Sequence, residues 1–579
     1  MMRRSLAVVV SLVGLVVAAC SAGKGTGGAA GASVSGAAGG GGSANGGASS
    51  EGAAGAPGSA GRTSGAGGGA SGAGGGQSAG AAGGSGPGTG GANPGTGGIA
   101  PVDNGQSVLE RNKHPSRDGN FVQPLLTKAA AAKMSPDTGF AGVYQGAIWN
   151  VPLYMEKGPT NKGAFFVATM NNDVVAFDET SGSTIWTQNL GAVAQGAPCG
   201  GPYSSVGIFG TPVIDGASRT LFVVVPVGPQ GITAFVVHAL SVDDGQERSG
   251  WPIDVSKVIP GFAPAKHNQR GALSLVNGIL YIPFGGHWGD CNPYQGRVLA
   301  IDIKDPTKTG NWATSGERAA IWAAGGMASD GDGVFAVTGD GARGGGGTHQ
   351  PTGDKDSEAV VRVTGMALVD RSDANYYYPA RWETMDRLDA DFGSNSPVYI
   401  QIPGAPQTGY VVAAAKDGHM YFLDSKHLGG MDGHLFDLNV SNGAMSIHTA
   451  LSSYATATGV YVVLSTDQGA SCPGGDGGKA IISVSVPIVA GMIKPTVAWC
   501  APQSSTVVSP IATTTDGKSD AIVWYMNGAN LVGVDGDTGT QIVTTAGACP
   551  GVMRWTSPIA AKGRLLVGGN GKLCSWSPK

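Results

Sequence analysis

Short hydrophobic runs, each separated from the next by a polar turn, recur along most of this chain. In the clearest example, residues 163–191, the turns Asn-Asn and Asp-Glu-Thr-Ser-Gly separate three runs at 164–169, 173–177 and 184–188. The runs are rich in β-branched and aromatic residues, which favour strands, while asparagine and glycine suit tight hairpin turns. The pattern therefore predicts a β-meander. A single meander cannot bury both of its faces, so we expect further copies.

Counterparts of Asp178, the residue that follows the second run, recur seven more times. They are Asp243, Asp302, Val363, Asp424, Val484, Asp535 and Ser577, at spacings of 42 to 65 residues. Eight repeats of about 60 residues fit an all-β fold, an eight-bladed β-propeller in which each repeat is one four-stranded antiparallel blade. Helical periodicity is confined to residues 125–134.

The eighth repeat ends at Ser577, two residues before the last residue of the sequence, and lacks an outer strand. We expect residues 107–112 (SVLERN) to supply it. An open sheet edge invites aggregation, and joining both ends of the chain in one blade removes that edge. The prediction is a closed propeller over residues 106–579.

The amino-acid composition indicates that the start of the chain does not belong to the folded domain. Glycine accounts for 101 of 579 residues, and much of it lies before residue 100. Residues 20–105 consist largely of small residues that cannot offset the entropy of ordering them, which predicts a disordered linker. A flexible coil of about 80 residues spans roughly 50 Å. The 36 basic residues are balanced by 40 acidic ones, which excludes the basic footprint of a nucleic-acid-binding protein.

The first residues have the pattern of an export signal. A charged start precedes an apolar stretch at 6–17, which is too short for a membrane span of about 20 residues. Val17-Ala18-Ala19-Cys20 resembles the lipobox of bacterial lipoproteins, which implies cleavage after residues 1–19 and acylation of Cys20. In that family Ser21, in place of aspartate, favours the outer membrane. We expect an extracytoplasmic, lipid-anchored protein; a secretory signal with an incidental cysteine is the alternative.

The first meander also contains the pattern Ala176-x-Asp178-x-x-Ser181-Gly182-x-x-x-Trp186. It resembles the repeat of the quinoprotein-type (PQQ-like) β-propellers, in which the tryptophan docks against the next blade and the glycine lets the chain reverse. Further segments that resemble one bacterial subfamily lie at 111–112, 117–119, 123–127, 269–273, 285–290, 293–296, 338–341, 391–394 and 416–418. The resemblance covers the whole folded part and implies the fold, but propellers host enzymes and scaffolds alike.

Six cysteines remain after Cys20, and an even number in an exported chain indicates disulfides. Six cysteines allow 15 connectivities. Proximity of the strands favours Cys199–Cys291 between the second and third blades, Cys472–Cys500 within the sixth, and Cys549–Cys574 within the eighth. No Cys-x-x-Cys spacing supports a metal cluster, and we predict no metal site. Residues 330–333 (DGDG) lack the glutamate that an EF-hand needs and are predicted to form a hairpin turn.

Two sets of loops in a propeller blade open on the same face: those that lead into the innermost strand, and those that join the second and third strands. The first set carries His267, Arg270, Trp322, Asp389, Asp391, His448, Arg554 and Trp555. The second set carries His287, Trp288, Asp290, Asn292, Asp340, Arg343, Lys416 and Asp417. Such groups converging on a funnel predict a ligand site. In the alternative interpretation they cap strand ends and pack between blades.

Two functions fit these observations. The leading prediction is a monomeric binding or scaffolding module that presents the funnel or a rim of the propeller to an envelope protein or a glycan. It depends on the absence of an adjacent cysteine pair and of a Cys-x-x-Cys-His haem site, both expected of quinone-dependent alcohol dehydrogenases. A hydrolase has no motif in its favour.

The alternative is a PQQ- and calcium-dependent alcohol-type oxidoreductase. It needs a cation for the carboxylates of the quinone, a tryptophan for its ring and an aspartate as base. The candidate cation is Arg270, Arg343 or Lys416. The candidate tryptophan is Trp322 or Trp555, and the candidate base is Asp389 or Asp391.

Overall fold

A computed structural model describes residues 105–579 apart from 197, 198, 200, 202, 289, 342–355, 444, 505–507 and 548. Eight small sheets follow one another along these residues, each with antiparallel neighbours at its core, and form an eight-bladed β-propeller. The predicted all-β propeller is confirmed. Asp178 and its seven counterparts lie within two residues of the ends of the third strands.

Blades 1 to 4 each have four main strands, which run in order from the innermost to the outermost. Blade 1 comprises Leu153–Met155, Ala164–Ala168, Asp173–Asp178 and Thr184–Asn189. Blade 2 comprises Val213–Asp215, Thr220–Val227, Ala234–Ser241 and Ile253–Asp254. Blade 3 comprises Ser274–Val276, Ile279–Gly286, Arg297–Asp302 and Thr309–Ala313, with His267–Asn268 beside the second strand. Blade 4 comprises Ala328–Ser329, Gly333–Val337, Val360–Thr364 and Tyr376–Tyr378, with Leu368–Val369 beside the third strand.

Blades 5 to 7 repeat this order. Blade 5 comprises Val398–Ile400, Tyr410–Ala414, His419–Asp424 and Phe436–Asn439. Blade 6 comprises Ser452–Thr456, Gly459–Thr466, Ala480–Ser485 and Thr496–Pro502. Blade 7 comprises Ile511–Thr514, Ile522–Asn527, Asn530–Asp535 and Gln541–Thr545, with Asn120–Val122 parallel to its innermost strand. Gly430–Met431 pairs in parallel with Tyr376–Tyr378 and so ties the loop of blade 5 to blade 4.

The remaining elements are short. The α-helices are Lys128–Ala131, Val255–Val258 and Trp382–Leu388, and 3-10 turns lie at Pro264–Lys266 and Phe392–Ser394. Two-residue ladders pair Ala194–Gln195 with Ser205–Val206, Ser471–Cys472 with Gly475–Asp476, and Ile488–Val489 with Met492–Ile493.

Blade 8, formed by Ile559–Ala561, Arg564–Gly568 and Asn570–Pro578, is completed by an N-terminal segment other than the predicted one. Gly142–Ala147 and Met134–Pro136 both pair with Asn570–Pro578 as outer strands. Gly142–Ala147 begins with alternating buried and exposed positions, which suits an outermost strand, but its glycines and glutamine conceal that alternation in the sequence. The predicted helix at 125–134 is also shorter, because Met134 already belongs to this sheet.

Residues 107–112, predicted as the outer strand, instead begin a stretch at the centre of the ring. We call residues 107–123 the central segment. It forms hydrogen bonds with all eight blades, and its partners in blade order are Tyr154, Ile214, Leu273, Ser329, Tyr399, Ser453, Ala512 and Ala560. Arg117 explains the placement: its buried guanidinium pairs with Glu110 at 2.7 Å and donates to the backbone oxygens of Leu273 and Met327. Such a side chain needs polar partners on several sides, which an outer strand does not offer.

Neighbouring blades are joined by tryptophans, as the resemblance to quinoprotein-type propellers implies. Trp186 Nε1 of blade 1 donates to the backbone oxygen of Val242 in blade 2, at 3.0 Å. Gly245, at φ +73°, allows this approach, since a Cβ there would lie 2.7 Å from the Trp186 ring. Trp499 of blade 6 makes the equivalent bond to Gly536 of blade 7 at 2.8 Å.

The three expected disulfides are present: Cys199–Cys291, Cys472–Cys500 and Cys549–Cys574, with Cα–Cα distances of 5.4, 5.8 and 5.8 Å. Disulfides are typical of extracytoplasmic proteins. Within the part of the chain that the structure describes, no helix has the length and apolar character needed to cross a membrane. The predicted signal, Cys20 and the linker up to residue 104 lie outside the described residues.

Candidate functional site

One face of the ring contains a cavity of about 370 Å³. Both predicted sets of loops contribute to it, as the geometry of a propeller blade requires. Twelve of the sixteen residues assigned to these loops line it: Arg270, His287, Trp288, Asp290, Trp322, Asp340, Asp389, Asp391, Lys416, His448, Arg554 and Trp555. Tyr294 and Met445 line it as well but were not predicted. Tyr294 was within reach of sequence reasoning, because it belongs to the family-like segment 293–296.

Three of the predicted residues that the structure describes do not line the cavity. Asp417 is turned away from it, because Arg381, which precedes the helix Trp382–Leu388, binds its carboxylate at 2.9 Å. His267 is buried, stacks on Phe262 at 4.4 Å and has Nδ1 2.9 Å from the oxygen of Ala263. Asn292 accepts a hydrogen bond from Arg318 instead. Arg343 lies outside the described residues.

Lys416 and two aspartates form the floor of the cavity. Asp389, at φ +55°, ends the helix Trp382–Leu388, and Asp391 precedes the turn Phe392–Ser394. Lys416 Nζ lies 2.7 Å from Asp389 Oδ1 and also pairs with Asp391 Oδ2. Asp391 additionally accepts a hydrogen bond from the backbone N–H of Asp340 at 2.7 Å.

These contacts set the charge of the floor. Burial alone would raise the pKa of Asp391, but the Lys416 ammonium and the Asp340 N–H hold it well below its usual range. Burial likewise opposes the charged form of Lys416, yet Asp391 and Asp389 raise its pKa above the usual value. The floor is therefore an ion pair with one cation and two carboxylates.

Two fully buried carboxyl groups, Glu358 and Asp386, lie behind the floor. Glu358 accepts a hydrogen bond from the N–H of Phe392, and Asp386 accepts from the N–H of Gly341 and the hydroxyl of Ser357. Burial raises the pKa of Asp386 to about 7, and burial and nearby Asp391 raise that of Glu358 well above its usual value. Sequence reasoning missed both, because nothing in the sequence distinguishes them from surface acids.

Asp340, Asp389 and Asp391 could together hold a metal ion, since one oxygen of each lies within 4.8 Å of the others. Carboxylate oxygens are ligands that calcium prefers, so the donor set fits a divalent cation. Lys416 contacts two of the three in the present conformation. The expectation of no metal site did not anticipate this group, because its members come from the loops of two blades.

The DGDG stretch behaves as predicted. Residues 330–333 form the hairpin turn between Ala328–Ser329 and Gly333–Val337. Its two aspartates, Asp330 and Asp332, bind Lys426 Nζ at 2.9 and 3.1 Å.

Tryptophans and guanidinium groups form the wall of the cavity. Arg270 Cζ lies 4.5 Å from the ring centroid of Trp322 and 4.9 Å from that of Trp555. The N–H of its Nε donates to the backbone oxygen of Trp322 at 2.9 Å. Arg554 Cζ lies 5.2 Å from the centroids of both Trp288 and Trp555. Such cation–π contacts fix the planes of both cations.

The histidines of the cavity carry no charge at neutral pH. Burial lowers the pKa of His287 and of His448 to about 4. Tyr294 donates its hydroxyl hydrogen to Asp290 at 2.7 Å, and burial raises its pKa. The positive charge of the cavity therefore comes from its arginines and Lys416 alone among the described residues.

No protein-family model and no curated relative matches this chain. Solved structures do. The quinohemoprotein alcohol dehydrogenase from Comamonas testosteroni matches with a TM-score of 0.58 and 14% identity, over 82% of this chain and 81% of that one. The chain has the propeller fold of that dehydrogenase.

Two further structures agree with this fold. A quinohemoprotein alcohol dehydrogenase from Pseudomonas putida HK5 matches with a TM-score of 0.57 and 12% identity, over 82% of this chain and 80% of that one. A europium-containing methanol dehydrogenase matches with a TM-score of 0.54 and 14% identity, over 80% and 89% of the two chains. At these identities the similarity shows the propeller fold alone, and the activity has to be argued from the site.

Proposed function

We propose that this protein is a quinone-dependent oxidoreductase of the alcohol type, with the cavity as its active site. The observation that carries the proposal is the contact of Lys416 with both Asp389 and Asp391 beside the third carboxylate, Asp340. The fold shared with alcohol and methanol dehydrogenases also favours it. The binding-module interpretation has less support, because the cavity combines a carboxylate base, a fixed cation and a potential metal group.

The chemistry of the site fits both PQQ and calcium. Asp340, Asp389 and Asp391 would hold the calcium ion through hard oxygen ligands. Arg270 and Lys416 would bind the carboxylates of the quinone, as charge-assisted hydrogen bonds do. Trp322 and Trp555 line the same cavity, and Arg270 lies over one face of each ring. The adjacent cysteine pair expected of such enzymes has no counterpart in the sequence.

Bound PQQ would supply the acceptor for the electrons of the alcohol. The protein residues would position the alcohol and take its proton. Asp389 is the candidate base, because its side chain is 34% exposed and borders the cavity, and Lys416 Nζ holds its Oδ1 at 2.7 Å. Asp391, 4% exposed, is a positioning residue that holds Lys416 in place.

Titration of the purified protein with PQQ, with and without calcium, tests the proposal. We expect saturable quenching of tryptophan fluorescence, because tryptophans border the cavity, and a calcium-dependent rise of the thermal midpoint. Lys416→Met should weaken the quenching, while Lys308→Met, on an exposed loop, should not. An unchanged signal at saturating PQQ would contradict the proposal and return attention to an envelope protein or a glycan as partner of a monomeric binding module.

We also propose that the chain is attached to the outer membrane through acylated Cys20 and the linker of residues 20–105. Gln106 contacts Glu156 and Lys562, which follow the innermost strands of blades 1 and 8, at the end opposite the cavity loops. The linker would therefore join the propeller at that end. Cys20→Ser should move the protein from the membrane fraction to the soluble fraction; retention in the membrane would contradict acylation at this residue.

A further inference from the structure

The cations in and beside the cavity are of two kinds: some are paired with carboxylates, and others have no carboxylate partner among the described residues. Lys416 is paired with Asp389 and Asp391, and Arg318, just beneath the cavity, pairs with Asp340 at 3.3 Å and Asp290 at 3.6 Å. The four acidic side chains that line the cavity therefore all lie within reach of these two cations.

Arg554 is of the other kind. It lies in the loop that leads into blade 8, and its guanidinium rests against Trp288 and Trp555. Among the described residues it has no ion pair and no hydrogen-bond acceptor; the carboxylate of Asp467 acts on it only at longer range. Arg270 has no carboxylate partner there either, and only its Nε–H donates to the protein, to Trp322.

A partly buried guanidinium without an anion is costly, because it loses hydration and receives nothing in exchange. The cost is recovered when a ligand supplies the anion. The aromatic contacts hold the Arg554 guanidinium in one plane, and only its Nε is sealed from solvent, so its terminal NH₂ groups remain accessible to a ligand. Such a fixed planar fork suits a planar carboxylate, which accepts two parallel hydrogen bonds from it.

We propose that Arg554 binds the carboxylate of the substrate, so that the substrate class is a hydroxycarboxylic acid. This inference rests on the proposed function for the fate of the hydroxyl group, but the carboxylate site itself does not. A substrate with an acid at one end and an alcohol at the other matches the cavity, where the unpaired guanidinium is on the wall and the carboxylate base is on the floor. His448 lines the same cavity. Because burial lowers its pKa to about 4, it is uncharged at neutral pH and neither attracts nor repels the substrate carboxylate through a net charge.

Calorimetric titration of the full chain with a matched pair of polyols tests the site without turnover. Gluconate and sorbitol have the same number of carbons and differ at one end, where gluconate has a carboxylate and sorbitol an alcohol. We expect gluconate to bind at least about tenfold more tightly at low ionic strength, the scale of one charge-assisted pair. Sorbitol 6-phosphate is the phosphate-bearing comparison, because a guanidinium group also pairs with phosphate, and tighter binding of it than of gluconate would assign the site to a phosphate instead.

Arg554→Met preserves much of the side-chain length and removes the charge. It should reduce gluconate affinity to the level of sorbitol, while the variant still binds PQQ saturably. Arg219→Met, which removes an arginine paired with Asp243 on blade 2, should change neither. Equal binding of gluconate and sorbitol, no binding of either, tighter binding of sorbitol 6-phosphate, or loss of PQQ binding in Arg554→Met would each overturn the inference.

The two proposals can fail separately. Arg554-dependent binding of gluconate together with no response to PQQ would leave the carboxylate site standing and refute the oxidoreductase. A response to PQQ together with equal affinity for gluconate and sorbitol would do the reverse.

Discussion

Replacement of Lys416 by methionine is the most informative single change at the floor of the cavity. The Lys416 side chain is 6% exposed and that of Asp391 is 4% exposed, so the pair has little access to water. Without the ammonium, Asp391 keeps the N–H of Asp340 but loses its cation. Removal of one partner from a buried pair costs about 3–5 kcal/mol. We expect Lys416→Met to lower the free energy of unfolding by that amount at pH 7.5.

The effect should depend on pH with a definite sign. In the wild type, the pKa of Asp391 is below its value in the unfolded chain, so its ionised form stabilises the fold above about pH 3.9 and this contribution is lost as pH falls. In the variant, burial without the cation should raise that pKa, so stability should fall as pH rises from about 4. The difference between the two proteins should therefore grow between about pH 4 and pH 7.

Urea denaturation at pH 4.5, 6 and 7.5 measures this difference. Lys308→Met is the matched control, since Lys308 is 66% exposed and has Asp305 as its one ion-pair partner among the described residues. Its curve should coincide with that of the wild type at each pH. A Lys416→Met protein as stable as the wild type at pH 7.5 would refute the reasoning. A destabilisation that is the same at all three pH values would refute the electrostatic part of it and point to lost packing.

Two further predictions concern stability away from the floor. Burial lowers the pKa of His267 from 6.5 to about 4, so the unfolded chain binds a proton at this residue before the folded protein does. The free energy of unfolding should therefore decrease by about 3 kcal/mol as pH falls through that range. His267→Gln should flatten the pH dependence of the thermal midpoint, and an unchanged slope would contradict this. The Cys199–Cys291 disulfide spans 92 residues, for which the entropy of loop closure predicts a stabilisation of about 4–5 kcal/mol. Serine at both positions should lower the denaturation midpoint and reduce its sensitivity to reductant to the part that comes from Cys472–Cys500 and Cys549–Cys574. A midpoint equal to that of the wild type would contradict the entropic argument.

The fold was accessible from sequence wherever the signal is local. The strand end at Asp178 recurs seven times, which was enough to predict eight blades, because each blade pairs strands that are close together in the sequence. The sequence predicted that an N-terminal segment completes blade 8 and closes the ring, which is correct. The predicted segment, residues 107–112, was wrong, because Gly142–Ala147 and Met134–Pro136 form the outer strands. Residues 107–112 and Gly142–Ala147 are equally plausible strands by composition. They are distinguished by the burial of Arg111, and of nearby Arg117, among carbonyls of the loops that lead into the innermost strands.

The candidate site likewise has some residues that the sequence predicted and others that it did not. Loop position alone placed Lys416, Asp389 and Asp391 on one face, because the geometry of a blade fixes which loops share it. Asp417, next to Lys416 in sequence, is drawn away by Arg381, whose position depends on an insertion that no repeat pattern describes. Glu358 and Asp386 were missed for a related reason: their burial results from packing between blades 4 and 5, which the sequence does not display.

The central segment also determines which contacts of the propeller can form last during folding. It is the first part of the propeller to be synthesised, yet Arg111 bonds to the oxygen of Trp555, 444 residues later, and Gln123 to that of Ala560, 437 residues later. Contacts so distant in sequence form late in folding. Because Arg111 binds the backbone beside Arg554, a ribosome-bound chain that still lacks blade 8 has neither a closed ring nor a complete cavity wall. The ligand site thus becomes available only when the two ends of the domain have met.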